Sequence, residues 1–98
     1  MLGIDLTKVA RFANKNDNFI IKTLHPEEIE EYNLSENKTK YLATHWAIKE
    51  ALYKANNNLF NFNKIRITKK DRVYKYPGYD ISTSNEDDYV VAIAQKEK

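Results

Sequence analysis

An α+β fold is predicted for this sequence, with a small antiparallel sheet packed against one long central helix. Residues 2–7, LGIDLT, alternate with the period of two that a strand requires. Residues 33–57 carry a long helical pattern, and the strand-like runs KIRIT, DISTS and YVVAIAQK all come after it. Strands clustered late, behind helices, favour α+β over an alternating parallel fold.

In LGIDLT, Leu2, Ile4 and Leu6 share one face and Gly3, Asp5 and Thr7 the other, as in a half-buried strand. VARFANK reads as a short helix, made basic on one side by Lys8, Arg11 and Lys15. At LHPEEIEEY, Pro26 suits a first helical turn, and Glu27, Glu28, Glu30 and Glu31 favour the positive end of the helix dipole. His25, just before that proline, reads as structural. The long helix follows, with Ser35 as its expected cap and the asparagines at 56–58 as its stop. Pro77-Gly78 marks a turn, with Tyr74, Tyr76 and Tyr79 packing around it, and NEDD joins the last two strands as a hairpin. In the final strand Val90, Ala92 and Ala94 alternate with Val91 and Ile93, a pattern that allows cover on both faces.

Ninety-eight residues make one domain, 1–98. The net charge of +2 suits anionic ligands but is far from a nucleic-acid footprint. Without cysteine, disulfides and Cys-based zinc sites are excluded. No apolar run reaches membrane-spanning length and MLGIDLTKVARF lacks the shape of a signal peptide, so a cytoplasmic protein is expected, with no membrane partner.

The chemistry is concentrated in HWAIKEALYKA, residues 45–55. At about 100° per residue, Glu50 falls beside Trp46, Tyr53, Ala43 and Ala47, with Lys54 one turn further on. An ordinary Glu-to-Lys pair on an exposed helix contributes roughly 0.3–0.5 kcal/mol and would sit on a polar stripe. This one does not. A second acid, Asp5, lies on the less apolar face of its strand, where it could converge with Glu50. Two carboxylates with open oxygen positions suit Mg²⁺ and a phosphate substrate, and a nearby lysine offsets phosphate charge.

Three stretches in register, GIDLTKVARF at 3–12, ATHWAIKEALYKA at 43–55 and ISTSNEDDYVVAIA at 81–94, resemble the holo-acyl-carrier-protein synthases, the small 4′-phosphopantetheinyl transferases. The resemblance covers nearly the whole chain. It implies that Asp5 and Glu50 are Mg²⁺ ligands, that Glu50 takes a catalytic role with Lys54, and that Lys54 lies near the coenzyme A pyrophosphate. Lys49, His45, Ser84 and Asn85 fall at positions read as coenzyme A contacts, with Lys49 open to the alternative of a solvated charge. Arg11, flanked by Lys8 and Lys15, matches a residue that meets the acidic acyl carrier protein. The implied reaction moves phosphopantetheine from coenzyme A to a serine of that carrier and releases 3′,5′-ADP. Homotrimers with sites between subunits are implied as well.

This sequence departs from the family pattern on the coenzyme A side. His45 stands for an arginine, removing a permanent cation. Trp46 stands for phenylalanine, Asn85 for a histidine, and NNNLFNF for a glycine-containing loop. A working transferase with an altered donor surface is therefore expected. A non-catalytic module of the same fold, binding an acidic carrier through Lys8, Arg11 and Lys15, would not need Asp5, Glu50 and Lys54. A nucleic-acid binder is disfavoured by the acidic runs EEIEE and NEDD.

Overall fold

Gly3 determines how the first strand meets the long helix. In the computed structural model, which describes residues 1–98, strand β1 (Leu2–Lys8) crosses helix α3 (Lys38–Ala55). A Cβ at Gly3 would lie 1.8 Å from the carbonyl oxygen of Ala51 and 2.7 Å from the nitrogen of Ala55. Only a residue without a side chain lets the two backbones touch there. The seam continues in small residues: Ala47, Ala51 and Ala55 on the helix, Ala92 and Ala94 on β5 (Tyr89–Lys96), all buried.

This seam reverses the usual cover of a half-buried strand. The alternation is present, but Gly3, Asp5 and Thr7 turn inward, while Leu2, Ile4 and Leu6 are 59, 54 and 63% exposed. Ile93 on β5, paired with Ile4, is likewise 38% exposed, so within one chain the last strand is covered on one face only.

The sheet is antiparallel throughout, in the order β1-β5-β4-β3-β2. Strand β2 is Thr68–Lys70, β3 Val73–Tyr76 and β4 Tyr79–Glu86. Gly78, at φ 86°, makes the β3–β4 turn, and Tyr76 and Tyr79 pack around it with ring centroids 6.0 Å apart. Of KIRIT, only Thr68 enters the ladder. Ile65 and Ile67 are buried without strand pairing, and the Ile67 amide donates to Glu28 instead.

Helix α1 (Asp17–Thr23) and strand β3 were not foreseen, being too short to show a period. Asn16 caps α1 by accepting from the Phe19 amide at 2.9 Å. Val9–Phe12 forms a 3-10 turn where the short basic helix was expected. Helix α2 (Pro26–Leu34) starts as read, with His25 and Glu28 in a reciprocal capping box. The cap of α3 is Asn37, whose Oδ1 accepts from the Lys40 amide, and Ser35 accepts from Asn37 one step earlier. The helix stops at Asn56 as predicted.

Candidate functional site

The inward turn of β1 carries Asp5 to the C-terminal half of α3. Its Oδ1 accepts a hydrogen bond from Lys54 Nζ at 3.1 Å, and the same ammonium donates to the Ile4 carbonyl at 3.0 Å. Asp5 Oδ2 is buried and has no hydrogen-bond partner. A buried carboxylate oxygen left unpaired is costly unless another group completes it. Glu50, one turn before Lys54 and partly buried, has its carboxyl pushed above the ordinary range. Burial is the main cause and the negative Asp5 the next, opposed by Lys54 and Arg11. Asp5 and Glu50 thus share one electrostatic site, with Lys54 as counter-charge. Arg11 bonds Thr7 Oγ1 at 3.2 Å on the same strand.

No three His, Asp or Glu side chains gather anywhere to hold an ion by themselves. A pair of carboxylates with one orphaned oxygen suits a hard divalent cation that takes its remaining ligands from water and substrate phosphates. The residues present therefore fit Mg²⁺.

Beside Glu50 an open groove of about 440 Å³ runs between α1, α3 and the chain around Phe60–Phe62. Its walls are aromatic: Phe19, Trp46, Tyr53, Phe60 and Phe62, with Lys22 at the edge. Trp46 stacks on Phe19 at 5.5 Å and meets Phe62 edge-on at 5.5 Å.

Lys49 corrects the sequence reading in both of its alternatives. Its side chain is fully buried, and its ammonium donates to Glu28 Oε1 at 2.5 Å, to the Thr23 carbonyl at 2.9 Å and to the Phe62 carbonyl at 2.9 Å. All three donors are used, so Lys49 neither faces solvent nor has a hydrogen to offer a phosphate. His45 is also interior, 3% exposed, stacked on Tyr41 at 4.0 Å with Nδ1 3.0 Å from the Tyr41 carbonyl. Burial holds its pKa below the ordinary value, against the pull of Glu28, which favours the neutral ring.

Ser84 and Asn85 are exposed near the end of β4, where Lys40 Nζ lies 3.4 Å from Asn85 Oδ1. Lys40 precedes Lys54 by fourteen positions on α3, about 21 Å along the axis. One chain brings Asp5, Glu50 and Lys54 together, while Asn85 lies across the sheet, its pairing partner Val90 being also the partner of Thr7. Of the three basic residues expected to meet a carrier, Lys8 is exposed, Arg11 lies 5.4 Å over the Phe12 ring and Lys15 4.9 Å over Phe19.

Glu28 was missed as a key residue. Its signal was present, since His25-x-x-Glu28 is a capping-box spacing. Nothing in the spacing indicates that this glutamate is buried against a lysine twenty-one residues on.

A family model described as the 4′-phosphopantetheinyl transferase superfamily matches residues 1–94. The chain is similar to the holo-[acyl-carrier-protein] synthase of Mycoplasmopsis pulmonis, 53% identical over 96 residues that span 98% of this chain and 89% of the relative. Its fold resembles the holo-[acyl-carrier-protein] synthase of Neisseria meningitidis, with TM-score 0.83 and 24% identity over 99% of this chain and 97% of that one. It also resembles the Bacillus anthracis synthase, solved in complex with CoA (3′,5′-ADP), at TM-score 0.79 and 23% identity over 95% and 91% of the two chains.

Proposed function

The chain belongs to the 4′-phosphopantetheinyl transferase superfamily, and from that premise we propose that it is a Mg²⁺-dependent holo-acyl-carrier-protein synthase. It moves phosphopantetheine from coenzyme A to a serine of an acidic apo-carrier and releases 3′,5′-ADP. The observation that carries this reading is the convergence of Asp5 and Glu50, with Asp5 Oδ2 left open and Lys54 alongside.

Mg²⁺, when held by Asp5 and Glu50, supplies neutralising charge to the diphosphate. The chain does the rest. Glu50, whose raised pKa brings it nearer the working range of a base, accepts the proton of the attacking serine hydroxyl. Lys54, whose side chain is 48% exposed, neutralises the departing 3′,5′-ADP. The aromatic groove beside Glu50 has the size and apolarity to take the pantetheine arm and keep water from it. Arg11, Lys8 and Lys15 receive the acidic carrier.

The working assembly in this reading is a homotrimer with its sites between subunits. Two features support it. Leu2, Ile4, Leu6, Tyr89 and Ile93 form an exposed apolar face on β1 and β5, of the kind an oligomer buries. Ser84 and Asn85 are exposed and hydrogen-bond none of Asp5, Glu50 and Lys54 in their own chain, and in this reading a neighbouring copy presents them to the site. No helix is long and apolar enough to cross a membrane. In the proposed reading the reaction runs in the cytoplasm.

The test is incubation with coenzyme A, Mg²⁺ and an apo-carrier protein, followed by mass spectrometry of the carrier. A carrier heavier by one phosphopantetheine supports the reading; an unmodified carrier, with folded enzyme, refutes it.

A further inference from the structure

Lys49 and Glu28 lie outside the chemistry just described, yet their side chains are the largest buried charged groups in the molecule. A buried ion pair is a poor source of stability. Taking two charges out of water offsets most of their attraction, and an apolar pair of similar volume often does as well. What such a pair does well is fix geometry, because each hydrogen bond accepts a narrow range of positions.

The bonds of this pair reach the walls of the groove. Lys49 Nζ donates to the carbonyls of Thr23 and Phe62, both at 2.9 Å. Thr23 is the last residue of α1, where carbonyls lack partners within the helix. Phe62 opens the 3-10 turn Phe62–Lys64. Both residues line the groove beside Glu50, Thr23 from α1 and Phe62 from the 3-10 turn, and Lys49 immediately precedes Glu50 on α3. Glu28 completes the arrangement. Its Oε1 takes Lys49 and the His25 amide, at 2.5 and 3.0 Å, and its Oε2 takes the Ile67 amide at 2.7 Å. One ammonium and one carboxylate therefore tie the end of α1, the start of α2, the turn at 62 and the entry to β2 to the helical turn that carries Glu50.

We infer that the Lys49–Glu28 pair is a positioning device for the donor-binding groove, setting the spacing between the Thr23 and Phe62 walls so that the pantetheine arm of coenzyme A is held beside Glu50. This rests on the proposed transferase function. It adds that donor affinity depends on two residues that touch no substrate.

The test uses the double variant Glu28→Gln, Lys49→Met, which removes both charges and leaves neither unpaired. Trp46, the single tryptophan, reports on the walls because it touches both Phe19 and Phe62. The folded variant is expected to expose Trp46 to acrylamide quenching. KM for coenzyme A should rise roughly 10- to 100-fold, the scale of a misplaced binding element. kcat should change by less than about threefold, because Glu50 stays on its own helix. Mn²⁺ affinity, which reads Asp5 and Glu50 alone, should not move.

A folded variant with wild-type Trp46 quenching and wild-type KM overturns the inference, and so does a loss confined to kcat. Should the double variant fail to fold, Lys49→Arg keeps the charge and alters the reach, and the same KM and quenching shifts are expected of it. If both fail to fold, the pair is a folding determinant and the inference is overturned. Trp46 quenching and coenzyme A binding need no turnover. A wild-type enzyme that transfers nothing would defeat the proposed function, while an active wild type with indifferent variants would defeat only this inference.

Discussion

Two lysines five residues apart on α3 carry the same charge into opposite surroundings. Lys49 and its partner Glu28 have side chains 0% exposed, locked by further backbone bonds. Lys54 and its partner Asp5 are 48% and 13% exposed, 3.1 Å apart, with an Asp5 oxygen still unpaired. A partly exposed pair is worth at most about 1 kcal/mol and separates easily when a ligand arrives. A buried one cannot be opened without leaving a bare charge in the core. The proposed transferase site uses the loose pair, and the scaffold around it uses the locked one.

Breaking the locked pair should have the largest effect. Lys49→Ala leaves Glu28 charged and alone in the core, and urea unfolding should register a loss of about 3–5 kcal/mol. A loss under about 1 kcal/mol would erase the contrast between the two lysines.

Next in size is Glu50→Gln. Transfer should fall by about 10³-fold or more, read by mass spectrometry of the carrier. Stability should move the other way. The folded carboxyl titrates above its unfolded value of 4.5, so its charge disfavours the fold as pH rises through that raised pKa. Removing the charge should hold the melting temperature at pH 7 level or raise it. An active Glu50→Gln enzyme would end the assignment.

Lys54→Met sharpens the comparison from the other side. Its stability cost should stay under about 1 kcal/mol, while transfer drops roughly 10- to 100-fold for want of charge on the leaving group. A stability loss as large as that of Lys49→Ala would mean the two pairs do not differ as described.

The smallest effect is one of pH. His45 faces Glu28 and Glu31 from α2, Tyr41 and Lys49 on its own helix and Tyr74 from β3, and Lys69 borders the same cleft. Its folded pKa lies below the unfolded 6.5, so its neutral form belongs to the fold. The associated stability is complete above pH 6.5 and is lost as pH falls through the depressed value. Chemical denaturation at pH 7.5 and 5.5 should show this fall, and His45→Gln should flatten it. An unchanged slope in that variant would place the titration elsewhere.

How much of this was legible depended on range along the chain. The α+β class, the long helix with its Asn56 stop, the Pro77-Gly78 turn and the final hairpin all follow from local periodicity and turn chemistry. Asp5, Glu50 and Lys54 were singled out by residue type and motif context, and the fold sets Asp5 against Lys54, one turn beyond Glu50. Helix α1 was too short to announce itself. Ile67 showed strand-like alternation, but its amide had gone to a glutamate thirty-nine residues away. Lys49 was unreadable, since the sequence gives its position on the helix and not what folds over it.

The sequence by itself determined the repertoire: which segments curl or extend, which acids could hold a cation, and that Gly3 carries no side chain. Tertiary structure decided which faces were covered. It pressed β1 against α3 through Gly3, turning Asp5 inward and three aliphatics outward, and it closed α1, α2 and the turn at 62 over Lys49. The reason is that a period of two or 3.6 specifies that a face exists, while burial depends on what packs there, and that contact is made by residues far away in the chain.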